Sequence, residues 1–236
     1  NVDNLSIYVG EWKDNKANGQ GKVTTNDYVY EGEFKDGLSE GQGKIIYFDS
    51  YVYEGEFKKH IPHNQGTYYY KNGNKYEGEI KNYILEGQGK FTWSDGRVYE
   101  GEWENSRYDG KGKFTWHNGQ VYEGEFKNGP FGGQGKLTYS DGSFYDGEWK
   151  NGKKYGYGIR NFVNFDGDGS VYQGYFKDNF YYGKGKETKK DGTILDGYFI
   201  RDHYVNITNC SGNCSDGYGE VDYKDEENYI YFKYKG

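Results

Sequence analysis

From Tyr99 the chain reads Tyr99-Glu100-Gly101-Glu102-Trp103, crosses a polar turn and continues Gly110-Lys111-Gly112-Lys113-Phe114-Thr115-Trp116. It then starts the same text again at Tyr122-Glu123-Gly124-Glu125-Phe126. Aligned on Tyr-x-Gly-x-aromatic, unit starts fall at Tyr8, Tyr30, Tyr53, Tyr76, Tyr99, Tyr122, Tyr145 and Tyr172, with a degenerate start at Leu195 and a remnant at Tyr229. The spacings are 22, five of 23, then 27, 23 and 34 residues. A unit so short cannot bury an apolar face alone, so this period demands a stacked array in which each copy packs on its neighbours. One elongated domain over residues 1–236 is the expected organisation, with regular units in 8–158 and irregular ones in 159–236.

Within each unit the Tyr, Gly and aromatic residue stand at offsets 0, 2 and 4, which alternation along a strand places on one face. The intervening Glu residues fall on the other face, turned to water or to the Lys at offset 14 of the returning strand, as in Lys44, Lys90, Lys113 and Lys136. Gly at offsets 11 and 13, a hydrophobic residue at 15 and a ring at 17 share a face of that second strand. There the glycines are expected to leave a floor for neighbouring rings. Asp36-Gly37, Asn128-Gly129 and Asn151-Gly152 at one end, and Asn72-Gly73, Asp95-Gly96, Asn118-Gly119, Asp141-Gly142 and Asp191-Gly192 at the other, are hairpin turn dipeptides. The spacing predicts an all-β fold, an antiparallel hairpin meander of some 19 strands in a single twisted layer.

The core must consist of rings, because aromatic residues make up 20% of the chain, with 29 Tyr and 14 Phe. The expected core is Tyr30, Phe34, Tyr53, Phe57, Tyr76, Phe91, Trp93, Tyr99, Trp103, Phe114, Trp116, Tyr122, Phe126, Tyr139, Tyr145 and Trp149. Rings at such regular offsets are what a disordered composition lacks.

The text Tyr-Glu-Gly-Glu-Phe/Trp-Lys-Asn-Gly followed by Gly-x-Gly-Lys-Phe-Thr-Trp/Tyr-x-Asp-Gly resembles the MORN repeat, over nearly the whole chain. That resemblance implies an extended hairpin array. It also implies the uses known for the family: scaffolding, dimerisation, membrane attachment, or service as a non-catalytic module beside a kinase or methyltransferase domain.

Regularity fails after Gly158. Arg160, Glu187 and Lys189 stand at inward offsets where rings are expected, and four extra residues lengthen the loop from Phe162 to Ser170. The ninth unit carries an insertion at 206–216, and the segment 229–234 puts Tyr231 where the signature has Gly, which suits a cap or a docking strand. The insertion holds Cys210 and Cys214 and the sequons at Asn206, Asn209 and Asn213; a fourth sequon is at Asn4. Two readings stand for it: a tolerated polar insertion, or a disulfide-closed, glycan-bearing loop of a protein on a secretory route. The absence of an initiator Met at Asn1 fits a processed or trimmed chain.

The interspersed charge, net −7, lacks the basic stripe of a nucleic-acid groove and disfavours anionic lipid. His60 and His63 near Pro62 are two ligands at most, and Asp166-Gly167-Asp168-Gly169-Ser170 lacks the spacing and closing Glu of a calcium loop, so no metal or cofactor is expected. The Gly-x-Gly pairs are strand residues rather than a phosphate cradle. A non-enzymatic scaffold is therefore expected, with itself, as a dimer or a filament, or another protein as partner and with Tyr8, Trp12, Tyr229, Tyr231 and Tyr234 on its end strands as the interface. The rival readings are a membrane-tethering module and the targeting arm of a larger enzyme.

Overall fold

The computed structural model describes residues 6–163, 169–205, 210–211, 218–224 and 229–235, with side chains through residue 205. Among the described residues there are 21 strands and no helix. The chain divides into two compact units, Asn1–Phe131 and Gly132–Gly236.

In the first unit each outgoing strand is followed by a returning one: β1 (Ile7–Lys13), β2 (Lys16–Thr24), β3 (Tyr28–Lys35), β4 (Leu38–Tyr47), β5 (Tyr51–Lys58), β6 (Ile61–Tyr70), β7 (Lys75–Lys81), β8 (Ile84–Thr92), β9 (Val98–Glu104), β10 (Arg107–Thr115) and β11 (Val121–Phe126). They pair in sequence order and every pair is antiparallel. The second unit continues in the same way through β12 (Phe131–Thr138), β13 (Phe144–Lys150), β14 (Lys153–Asn161), β15 (Val171–Lys177), β16 (Phe180–Thr188), β17 (Ile194–Ile200) and the short β18 (His203–Val205). A separate three-stranded sheet, β19 (Cys210–Ser211), β20 (Tyr218–Lys224) and β21 (Tyr229–Lys235), follows. The strand count exceeds the 19 expected in part because the insertion itself contributes β19.

Outgoing and returning strands meet in two-residue turns with both residues left-handed, at Asp36-Gly37 but also at Asp14-Asn15, Lys59-His60, Asn82-Tyr83, Asn105-Ser106, Asp178-Asn179 and Arg201-Asp202. Such turns match the strands' own twist, which is why the array tolerates a left-handed Lys, Ser or Arg in them. The turns at the opposite ends close on a side chain. Asn72, Asp95, Asn118, Asp141 and Asp191 each accept the N–H two residues on.

The pairing register holds a feature that simple alternation does not anticipate. Gly at offset 2 lies opposite Gly at offset 13, but the next partners are offsets 4 and 9, as in Gly32↔Gly43 followed by Phe34↔Ser39. One residue of the outgoing strand thus faces three of the returning one, a bulge. The Glu at offset 3 organises that bulge. Its carbonyl accepts the hydroxyl of the unit's own Tyr, from Tyr99 to Glu102 at 2.7 Å, and its carboxylate accepts a backbone N–H of the returning strand, from Lys111 to Glu102 at 2.9 Å. The same pair of bonds recurs at Glu11, Glu33, Glu79 and Glu148.

Two expectations are corrected here. The inner Glu at positions 11, 33, 79, 102 and 148 is not given over to water or a lysine, because at the bulge its carboxylate accepts a backbone N–H of the returning strand. The Gly at offset 11 is not part of the ring floor: it is left-handed, with φ +75° at Gly41 and +72° at Gly110, and a Cβ on Gly110 would stand 2.6 Å from the Glu102 carboxylate. The outer Glu does meet lysine, in Lys44–Glu54 at 2.6 Å and Lys113–Glu123 at 2.7 Å, but each Lys pairs with the next unit's Glu. These pairs are about half exposed and contribute roughly 0–1 kcal/mol each.

The glycines at offsets 2 and 13 form an unbroken ladder, each opposite the next, from Gly10 to Gly124 in the first unit and from Gly135 to Gly197 in the second. The signature tyrosines lie on it. A Cβ on Gly43 would stand 2.5 Å from Tyr30 Oη. Tyr53, Tyr76, Tyr99, Tyr122, Tyr145 and Tyr172 are fully buried. Wherever offset 4 is aromatic, the signature ring meets it edge-on and usually meets that of the next unit as well, as Tyr99 does with Trp103 and Phe126, both at 5.1 Å. Such contacts add about 0.5–1.5 kcal/mol beyond burial.

Candidate functional site

Offset 9, the first inward residue after each two-residue turn, decides what the ring face looks like. In three of the later units it is a plate lying on the signature tyrosine: Tyr108 on Tyr99 at 4.2 Å, Phe131 on Tyr122 at 3.8 Å and Tyr181 on Tyr172 at 3.6 Å with planes only 4° apart. In the early units it is Ala17, Ser39, Pro62 and Leu85. No offset-9 ring then stacks on the tyrosine, although Tyr68 packs on Tyr53 at 4.9 Å and Trp103 on Tyr76 at 5.4 Å.

The consequence is a groove of about 560 Å³ on the ring face of the first three hairpins. Ala17, Ser39 and Val23 are its short floor residues, and Tyr28, Tyr30 and Tyr47 its rings, with His60 and Tyr83 at one side. Burial pushes the Tyr30 phenol up to about 12, against a hydrogen bond from Ser39, so Tyr30 remains a neutral ring whose hydroxyl is donated to the Glu33 carbonyl at 3.0 Å. His60 Nδ1 accepts the Ser39 N–H at 3.1 Å, which makes it a wall of the groove. Trp12 is 62% exposed at the edge, whereas its counterpart Trp103 is 6% exposed, being covered by the preceding unit's Tyr76 at 5.4 Å.

In the second unit the same face carries cations. Lys154 occupies offset 9 and is only 6% exposed, its Nζ 5.3 Å from the Tyr145 ring and 5.6 Å from the Tyr139 ring. Arg160 is the register partner of both Tyr145 and Tyr172 and lies on Phe162 at 3.9 Å. Burial first, and then the Arg160 guanidinium, push the Lys154 ammonium down to about 8, with Asp202 acting the other way.

Of the expected core, Tyr30, Phe34, Tyr53, Phe57, Tyr76, Tyr99, Trp103, Phe114, Tyr122, Phe126, Tyr145 and Trp149 are buried, while Phe91, Trp93, Trp116 and Tyr139 are half-buried. Trp103 and Trp149 each donate the indole N–H to a ladder carbonyl, at Gly89 and Gly135. Tyr8 is half-buried on β1, whose only strand partner among the described residues is β2. Tyr229, Tyr231 and Tyr234 lie on β21 and pair with Lys224, Asp222 and Gly219 of β20. Cys210 pairs with Val221 by backbone register, and its side chain, Cys214, Asn4, Asn206, Asn209 and Asn213 lie outside the described residues. Among the described residues no three His, Cys, Asp or Glu side chains converge as a metal site. The residues missed at sequence level are those at offset 9, whose identities vary too much to stand out in a repeat alignment.

The MORN repeat family model matches residues 8–28, 30–50, 53–75, 76–96, 99–121, 122–144, 145–166 and 172–194. No curated protein sequence matches the chain. Among solved structures it is similar to the wild-type TCP10 domain of Danio rerio CPAP in complex with a peptide of STIL, at 14% identity over 98% of this chain and 99% of that one, TM-score 0.47. It is similar also to the SAS-4 (dCPAP) TCP domain of Drosophila melanogaster in complex with a proline-rich motif of Ana2, at 14% identity over 65% of this chain and 81% of that one, TM-score 0.41. A virginiamycin B lyase from Staphylococcus aureus matches at 11% identity over 98% of this chain and 88% of that one, but with a TM-score of 0.19.

Proposed function

This chain belongs to the MORN-repeat family, and we propose that it is a non-catalytic scaffold that docks protein, a second copy of itself included, on the ring face of its first hairpins. The observation that carries this reading is the groove. A face closed by stacked plates elsewhere is left open where offset 9 is Ala17 or Ser39, with phenols and the exposed Trp12 around it. Rigid rings with polar tips give contact area at low entropic cost, as protein interfaces use them. The outward edge of β1 adds backbone donors and acceptors beside the groove. The net charge of −7 makes an anionic membrane the poorer partner.

Two measurements test the reading. A photo-crosslinking amino acid in place of Tyr83, beside the groove, should capture a discrete protein adduct in the native cell, and one in place of Glu123, an exposed residue of β11, should not. Light scattering of the full chain should show association that Ser39→Tyr, which fills the groove, abolishes. A monomer at tens of micromolar removes the self-association, and equal or absent crosslinking at both positions removes the docking face.

A further inference from the structure

The ring face of the second unit holds buried donors without acceptors. Lys154 is 94% buried by its 6% exposure, and its Nζ makes no hydrogen bond or ion pair among the described residues, only contacts with the Tyr139 and Tyr145 rings. Tyr181 Oη is buried with no hydrogen-bond acceptor, the neighbouring Arg160 guanidinium being a donor only, and its ring lies flat on Tyr172. Arg160 stands between them, paired in register with Tyr145 on one side and Tyr172 on the other, and forms no ion pair among the described residues. An ammonium and a phenol withdrawn from water without acceptors are costly to keep, and the usual resolution is a group that supplies the missing charge and lone pairs.

We propose that Lys154, Arg160 and Tyr181 form an anion-binding site that takes a carboxylate from an acidic side chain of a docked protein segment. The row offers one ammonium, one guanidinium and one hydroxyl, a donor set suited to an oxyanion and to no cation. Two carboxylates of the same unit limit the surplus positive charge. Glu187 is the register partner of Tyr172 on the side away from Arg160, and the exposed Asp202 accepts the Tyr181 N–H at 2.7 Å. With those negative charges close by, a monoanion fits and a phosphate dianion is repelled. The depressed pKa of Lys154 agrees with an ammonium lacking its counter-ion. The proposal rests on the docking reading only for the delivery of the carboxylate, since the site lies in the other unit from the groove.

The test is NMR of the full chain with isotope-labelled lysine, reading the Lys154 side-chain resonance, assigned by its loss in Lys154→Met. The probes are the blocked tripeptide Gly-Glu-Gly, its Gly-Gln-Gly counterpart and inorganic phosphate, each at low ionic strength. Gly-Glu-Gly should shift that resonance and raise its titration midpoint, and Gly-Gln-Gly should leave both unchanged. Tyr181→Phe and Arg160→Met, checked for folding by thermal melts, should each weaken binding about tenfold. No response to Gly-Glu-Gly at millimolar concentration, an equal response to the glutamine peptide, or a stronger response to phosphate overturns the proposal. If the response is absent while crosslinking at position 83 persists, the scaffold reading stands and the carboxylate site falls. If both are absent, both fall.

Discussion

Ala17 and Tyr181 hold the same place in their units, nine residues after Tyr8 and Tyr172 and opposite Trp12 and Phe176. Around Ala17 the ring face is an open groove, whereas around Tyr181 it is a closed stack interrupted by Lys154 and Arg160. The backbone, the glycine ladder and the signature tyrosine are common to both. The fold therefore depends on the constant offsets 0, 2, 4 and 13, and offset 9 is where one scaffold acquires different surfaces.

The largest expected effect comes from a constant position. Trp103→Ala removes a ring packed on Tyr76, Tyr99 and Tyr108 and the indole bond to Gly89, and should cost about 3–5 kcal/mol in denaturant melts. Hydrogen exchange should rise around Tyr76 to Phe126 and remain unchanged in distant hairpins. Gly89→Ala comes next, at roughly 1–3 kcal/mol, because its Cβ would stand 2.6 Å from the Tyr76 ring carbons and closer still to that ring's hydroxyl oxygen. A wild-type melt for Gly89→Ala would mean that the ladder is not needed for close approach of the ring.

At the variable position the sign depends on whether a buried ammonium is removed or introduced. Lys154→Met should stabilise by roughly 1–3 kcal/mol near neutral pH, since a buried unpaired ammonium gives way to an apolar chain of similar length. Leu85→Lys, the reverse exchange at the same offset in the first unit, should destabilise. Lys154 also sets a pH dependence. Its folded pKa of about 8 lies below the ordinary 10.5, so the unfolded chain binds more protons between those values and stability rises with pH across that window. As pH falls through it, up to about 3 kcal/mol is lost, by the rule of 1.36 kcal/mol per pKa unit. The difference between wild-type and Lys154→Met melts isolates this from tyrosine titration, and parallel curves would refute it. The smallest effect is at the surface, where Lys44→Ala should change stability by no more than about 1 kcal/mol and less in high salt.

The hairpins, the two-residue turn at Asp36-Gly37 and the ring rows were legible because period-2 alternation and turn dipeptides report them directly. The bulge was hidden because alternation assumes one-to-one pairing, and Gly41 and Gly43 look alike in a string of letters although one is left-handed and the other supports a ring. One signal was present. The third unit has Asn64 where the others have Gly at offset 11, and Asn64 is left-handed too, at φ +53°. Asn tolerates that conformation, but it would be an odd replacement for a glycine needed only to make room. Offset 9 was illegible for a different reason: Ala, Ser, Pro, Leu, Tyr and Lys have no common chemistry, and only the register with offset 4 shows that they share a seat.

Six hairpin turns are tied back to the preceding hairpin, Gly37 N–H to the Ala17 carbonyl, His60 to Ser39, Ser106 to Leu85, Gly129 to Tyr108, Asn179 to Lys154 and Asp202 to Tyr181. These ties join residues no more than 25 positions apart. All-β chains are usually slow to fold because their partners are distant along the chain, but here locality removes most of that loop-closure cost. A hairpin emerging during synthesis needs only the one before it as a template. Force applied along the chain should likewise meet a succession of small, similar resistances, so that hairpins peel away one at a time and re-form in the opposite order when the load is released.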